Sequence, residues 1–183
     1  MSALAELLPL LALERLPRTG WLLAGVRQPE SIAAHTLGAA LVVLTLGPRV
    51  EPALDLERAI ALAVVHDVPE ALLTDLPRVT AELLPPGAKA EAERLAAARL
   101  LGADGQRLFQ EYQAGATREA RFVRLCDKLQ LGLRWLGYLR EGVRGLEEFR
   151  PGLSTLDCSE FAPCGALRAE LLDAAEALER GRR

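Results

Sequence analysis

Histidine is scarce in this chain: its 183 residues include only His35 and His66. Lysine is as rare, at positions 89 and 128, while arginine is abundant. With a formal charge of −3 and no basic stripe, the chain lacks the footprint of a general nucleic-acid-polymer binder. Three cysteines, Cys126, Cys158 and Cys164, without a C-x-x-C pair, argue against a disulfide framework or a zinc knuckle and point to a reducing cytoplasm. No stretch reads as a membrane span, because the apolar run Leu37–Leu46 is short and meets Pro48 and Arg49 at once. The opening residues lack a basic region and are interrupted by Glu6, Glu14 and Arg15, so they read as a first helix rather than a signal peptide. There is no G-x-S-x-G, no Walker A loop and no G-x-G-x-x-G, which leaves serine-nucleophile chemistry and loop-cradled nucleotides unsupported.

What is present is helical. Half the residues are apolar and 26% are charged, an ordinary globular balance, and the length suits one domain with a real core. Helix-type periodicity runs nearly end to end, with no period-2 stretch of β-branched residues. The expected fold is all-α, a bundle of about six to seven helices at 2–15, 30–46, 55–74, 88–102, 104–115, 117–141 and 165–181. Proline and glycine clusters mark the connections Leu16–Pro29, Gly47–Leu54, Asp75–Gly87 and Gly142–Cys164. Ser31 or Glu30 suits the start of the second helix, and Asp55 that of the third. The apolar excess is compatible with a homodimer.

Both histidines fall in helical segments near acidic residues. In HDVPEALLTDLP, His66 is followed by Asp67, Glu70 and Asp75. On a helix, neighbours stand about 100° apart and residues four apart share a face, so His66, Asp67 and Glu70 converge. A divalent cation accepts such a mixed nitrogen and oxygen set. His35 is the one other imidazole, and Asp127 stands on an apolar helix beside Phe122, Val123 and Leu129. A carboxylate there is costly to bury unless it is paired or bound to metal. Each residue also has an ordinary reading. Asp127 can pair with Arg124 or Arg121, Glu70 can face solvent, Asp75 can cap the turn before Pro77, Arg18 can be a solvated helix-end arginine, and Trp21 can be core.

The order H…HD…D, here His35, His66–Asp67 and Asp127, resembles the HD-domain superfamily of metal-dependent phosphohydrolases. More narrowly, LERLPRTGW at 13–21, RQPESIAAHT at 27–36, HDVPEALLTDLP at 66–77 and EYQAGATREARFVRLCDKLQ at 111–130 resemble the bacterial 5′-deoxynucleotidases and the HD domain-containing protein 2 group. Two departures stand out: Ala34 precedes the first histidine where an acidic residue is typical, and Thr74 precedes Asp75 where glycine is common.

The resemblance implies one HD domain over 1–183 with a metal-binding core at about 27–140. It implies one divalent ion of undetermined identity (Co, Mn, Zn, Fe, Ni or Mg), held by His35, His66, Asp67 and Asp127. Glu70 and Asp75 would be catalytic, Arg18 and Trp21 would contact substrate, and the substrate would be a nucleoside 5′-monophosphate, deoxy by preference. Two alternatives stay open. One is an HD phosphodiesterase or triphosphohydrolase, which would need more converging cations than Arg18, Arg27 and Arg78 offer. The other is a non-catalytic helical module, disfavoured because the full residue set is present.

Overall fold

The computed structural model describes residues 2–181, and among them it contains helices and no strand. Capping side chains set the main helix starts. Ser31 Oγ accepts from Ala34 N at 3.2 Å and opens α4 (Ile32–Leu46), and Asp55 accepts from Arg58 N at 3.0 Å and opens α5 (Leu56–Val65). Thr117 accepts from Ala120 N at 3.2 Å and opens α10 (Arg118–Arg140). Gly115, at φ +60°, closes α9 (Ala103–Ala114) in the left-handed conformation that glycine adopts without a Cβ penalty.

Prolines divide what periodicity alone joins. The expected first helix is three pieces, α1 (Ala3–Leu7), a 3-10 turn at Leu8–Leu11 and α2 (Ala12–Arg15), because Pro9 has no N–H to donate. The expected helix 55–74 is also interrupted. It stops at Val65, continues as turns, and resumes as α6 (Glu70–Leu73). Pro69 cannot donate to Val65, and Val68 N bonds Val65 O at 3.2 Å while Glu70 N bonds Asp67 O at 3.0 Å, the i→i−3 pattern of a tighter winding. Three segments expected to be connections carry short helices: α3 (Thr19–Leu23), α7 (Arg78–Leu83) and α11 (Phe149–Ser154). The remaining helices are α8 (Ala88–Leu100) and α12 (Ala162–Gly181).

The central element is α10, which packs against α4, α5, α9 and α12. Val43, Leu46, Leu62, Phe122, Leu129 and Leu171 join in the main core. Burying each such side chain stabilises the fold by roughly 1.5–3 kcal/mol. The stretch Ile32–Arg49 is long and apolar enough to cross a membrane by length and composition, contrary to the shorter run read from the sequence. Here α4 packs against α5 and α10, which buries Ile32, Ala39, Val43 and Leu46, while Leu37, Leu41 and Leu44 stay exposed.

Among the described residues, the buried polar or charged side chains are His35, His66, Glu70, Asp127 and Gln130. They gather where the end of α5, the second turn of α4 and the middle of α10 meet. Burying polar groups costs free energy unless they are partnered, so this locus requires its own account.

Candidate active site

The break after Val65 gives His66 its orientation. Its backbone is still helical (φ −60°, ψ −37°), and its Nδ1 lies 2.7 Å from the carbonyl of Ala63. A carbonyl only accepts, so Nδ1 carries a proton and Nε2 is the nitrogen turned towards the cluster. That Nε2 faces Nε2 of His35 at 3.4 Å. Asp127 Oδ1 is 3.0 Å from His35 Nε2 and 4.0 Å from His66 Nε2. Asp67 Oδ2 is 3.1 Å from His66 Nε2 and 3.5 Å from His35 Nε2. His35, His66 and Asp127 form a group whose candidate ligand atoms all lie within 4.8 Å of one another, with Asp67 at its edge. Sequence positions far apart thus converge on one point.

The electrostatics there favour positive charge. Burial opposes the charged form of His66, but the Asp67 carboxylate outweighs it and lifts the imidazole to about 9. Burial also works against ionised Asp67 and Asp127, yet both are held below the usual carboxylate range, Asp67 chiefly by His66 and Arg18, and Asp127 by Lys128 and His35. Two imidazole nitrogens with carboxylate oxygens, in a field that attracts a cation, are a donor set that fits a divalent metal ion.

Beside this point lies a second cluster, centred on a cation. Arg18 Nη1 sits 3.2 Å from Asp67 Oδ2, 3.1 Å from Asp75 Oδ1 and 3.7 Å from Glu70 Oε2. The backbone places it: Arg18 N bonds Glu30 O at 3.0 Å and Ile32 N bonds Leu16 O at 2.9 Å, strapping the chain before α3 to the start of α4. Asp75 is fully engaged. Its other oxygen accepts from Thr19 N at 2.5 Å, and its carbonyl accepts from Thr19 Oγ1 at 2.8 Å. Glu70 differs, because its Oε2 is buried without a hydrogen-bond partner. Burial, then the charge of Asp67, pushes the Glu70 carboxyl up to about 9.

Trp21 does not reach this cluster's open side. It is 1% exposed, stacks on Phe149 at 4.2 Å and meets Tyr138 edge-on at 5.1 Å, which makes it part of the core. Sequence reasoning did not single out Gln130, Lys128 or Tyr112. Gln130 meets Nδ1 of His35. Lys128 Nζ lies 3.0 Å from Asp127 Oδ2 with its side chain largely exposed. The Tyr112 hydroxyl stands 3.5 Å from the same oxygen. One signal was available, since Gln130 follows Asp127 by three residues on a helix and therefore shares its face.

The family model described as HD domain matches residues 12–149. The chain belongs to the HD domain family. The matched span takes in both clusters of this HD domain, from Arg18 to Asp127. The HD domain is 29% identical over 158 residues to the 5′-deoxynucleotidase hdd1 of Schizosaccharomyces pombe, covering 75% of this chain and 73% of that protein. It is 32% identical over 146 residues to the 5′-deoxynucleotidase HDDC2 of Danio rerio, covering 75% and 70%. Among solved structures it resembles the PH0347 protein of Pyrococcus horikoshii OT3, at TM-score 0.79 and 33% identity over 93% of this chain and 97% of that one. It also resembles a predicted metal-dependent phosphohydrolase of Magnetospirillum magnetotacticum MS-1, at TM-score 0.69 and 25% identity over 96% and 92%.

Proposed function

We propose that this HD domain removes the phosphate from deoxyribonucleoside 5′-monophosphates, using one divalent ion held by His35, His66, Asp67 and Asp127. The observation that carries this reading is the facing pair of Nε2 atoms, flanked by Asp67 and Asp127, with Arg18 and the uncommitted Glu70 oxygen alongside. The names of the fission yeast and zebrafish relatives support the substrate class.

When bound, a divalent ion neutralises phosphate oxygens and acidifies water towards neutral pH. The remaining roles fall to the chain itself. Arg18 supplies a planar guanidinium suited to two phosphate oxygens. Asp75 holds Arg18 and Thr19 in place, since both its carboxylate oxygens are engaged. Glu70 handles the proton. Its surroundings favour the protonated carboxyl, which suits donation to the leaving 5′-oxygen. Trp21, buried in the core, acts on the site through its hydrogen bond to Glu30. The three free thiols, Cys126, Cys158 and Cys164, support a cytoplasmic setting.

The test is phosphate release from ribo- and deoxyribonucleoside mono-, di- and triphosphates, with Co²⁺, Mn²⁺, Zn²⁺ or Mg²⁺ added singly. The expected result is metal-dependent release from the deoxy monophosphates. Release confined to triphosphates, or none with any metal, overturns the reading.

A further inference from the structure

Behind His35 runs a chain of hydrogen bonds whose direction is chemically fixed. Trp21 Nε1 can only donate, and it donates to Glu30 Oε1 at 3.1 Å. The other Glu30 oxygen accepts from the Gln130 amide nitrogen at 2.9 Å. The Glu30 backbone N–H donates to the Tyr138 hydroxyl at 2.8 Å, which fixes the residue from a third side. Both Glu30 oxygens accept, one from Trp21 and one from Gln130, so the amide NH₂ of Gln130 faces Glu30 and its carbonyl oxygen faces His35. That oxygen meets Nδ1 of His35. A carbonyl oxygen requires a donor, so Nδ1 of His35 carries a proton, and a cation seated between Nε2 and the carboxylates of Asp127 and Asp67, 3.0 Å and 3.5 Å away, takes the place of a proton on Nε2. The other tautomer would set two lone pairs against each other in a buried site.

The helices make room for this arrangement. Gly38 lies on α4, less than one turn beyond His35, and a Cβ at that position would come within 2.8 Å of Gln130 Cγ and Nε2. The absence of a side chain at 38 lets the amide lie flat against α4 and reach His35.

We propose that Gln130, oriented by Glu30 and admitted by Gly38, is a positioning residue that fixes His35 as the Nδ1–H tautomer and thereby presents Nε2 to the cation. The proposal rests on the metal-site reading above. It also assigns a purpose to Trp21 and Glu30: they anchor the polarity of the chain. Outer partners of metal-bound histidines typically change metal affinity by about 10- to 100-fold when removed.

Two measurements test it. With only two histidines, the zinc-loaded protein labelled with ¹⁵N-histidine gives two imidazole systems in a long-range ¹H–¹⁵N correlation. Both are expected to be protonated at Nδ1, and a His35 protonated at Nε2 overturns the proposal without any variant being made. The second measurement is Zn²⁺ affinity by chelator competition. Gln130→Met, which keeps the length and loses the acceptor, is expected to bind about 10- to 100-fold more weakly. Gly38→Ala, which alters no ligand, is expected to weaken binding in the same direction as Gln130→Met. A wild-type protein that binds no Zn²⁺ fails the metal-site reading and this proposal together. Wild-type binding matched by a folded Gln130→Met variant overturns this proposal alone. Should that variant not fold, the wild-type spectrum and Gly38→Ala decide.

Discussion

The Nε2 atoms of His35 and His66 stand 3.4 Å apart, and the other nitrogen of each ring is committed to an oxygen, of Gln130 and of Ala63 respectively. With Nδ1 of each ring committed, the two Nε2 atoms and the flanking carboxylates of Asp67 and Asp127 are left to share one positive charge between them. Removing one partner should therefore abolish cation binding rather than trim it. Asp127→Ala and His35→Ala are expected to purify without stoichiometric metal and without phosphatase activity. Metal analysis beside phosphate release checks this, and a metal-replete Asp127→Ala protein would sink the assignment.

Glu70 should fail differently. Its free oxygen lies 3.7 Å from Arg18 and is not among the close contacts of either imidazole. Glu70→Gln is expected to keep its metal and lose about two to four orders of magnitude in kcat, the usual range for a positioned acid–base group. Near-full turnover with metal bound would remove Glu70 from the mechanism.

Arg18 sits among three carboxylates with its side chain only 13% exposed. Deleting it removes the cation that Asp67 and Asp75 share and leaves Asp75 without its ion pair. Arg18→Ala is expected to lower stability by about 3–5 kcal/mol, as for breaking a buried ion pair, and to weaken inhibition by inorganic phosphate. Denaturant unfolding and product-inhibition assays read the two effects separately. Stability equal to wild type would show that the cluster is solvated.

Thr74 holds φ +62° and ψ 169°, a conformation essentially reserved for glycine, immediately before Asp75. A β-branched residue there carries strain. Thr74→Gly is expected to raise stability by about 1 kcal/mol, the relief exceeding the entropy lost by a flexible residue. A lower denaturation midpoint for Thr74→Gly would contradict the strain argument.

Much of this was legible in the sequence, for identifiable reasons. The long helices α4, α8, α9, α10 and α12 lie close to their expected ranges, with α4 opened by the expected Ser31, and the residues gathered at the candidate metal site stand in the H…HD…D order. The continuity of 55–74 was misread although Pro69 was in plain view, because apolar spacing carried the pattern across a residue that breaks the ladder. Glu70 still reached the site because Pro69 keeps a right-handed helical conformation (φ −55°, ψ −26°) through the break. Trp21 was expected at the substrate and lies in the core, a choice made by Phe149 and Tyr138 from distant parts of the chain. The pairing of Glu30 with Gln130 joins residues a hundred positions apart, and no local pattern encodes it.

Because the candidate ligands come from α4, the end of α5 and the middle of α10, a bound ion would rivet three helices that chain connectivity leaves independent. The unfolded chain offers only the adjacent His66 and Asp67, so a cation would recognise the assembled bundle far better than its parts. Occupancy would then shift the folding equilibrium by mass action, and the resistance of this protein to heat would track the free metal around it. Metal supply would thus govern how long the enzyme lasts as well as how fast it turns over.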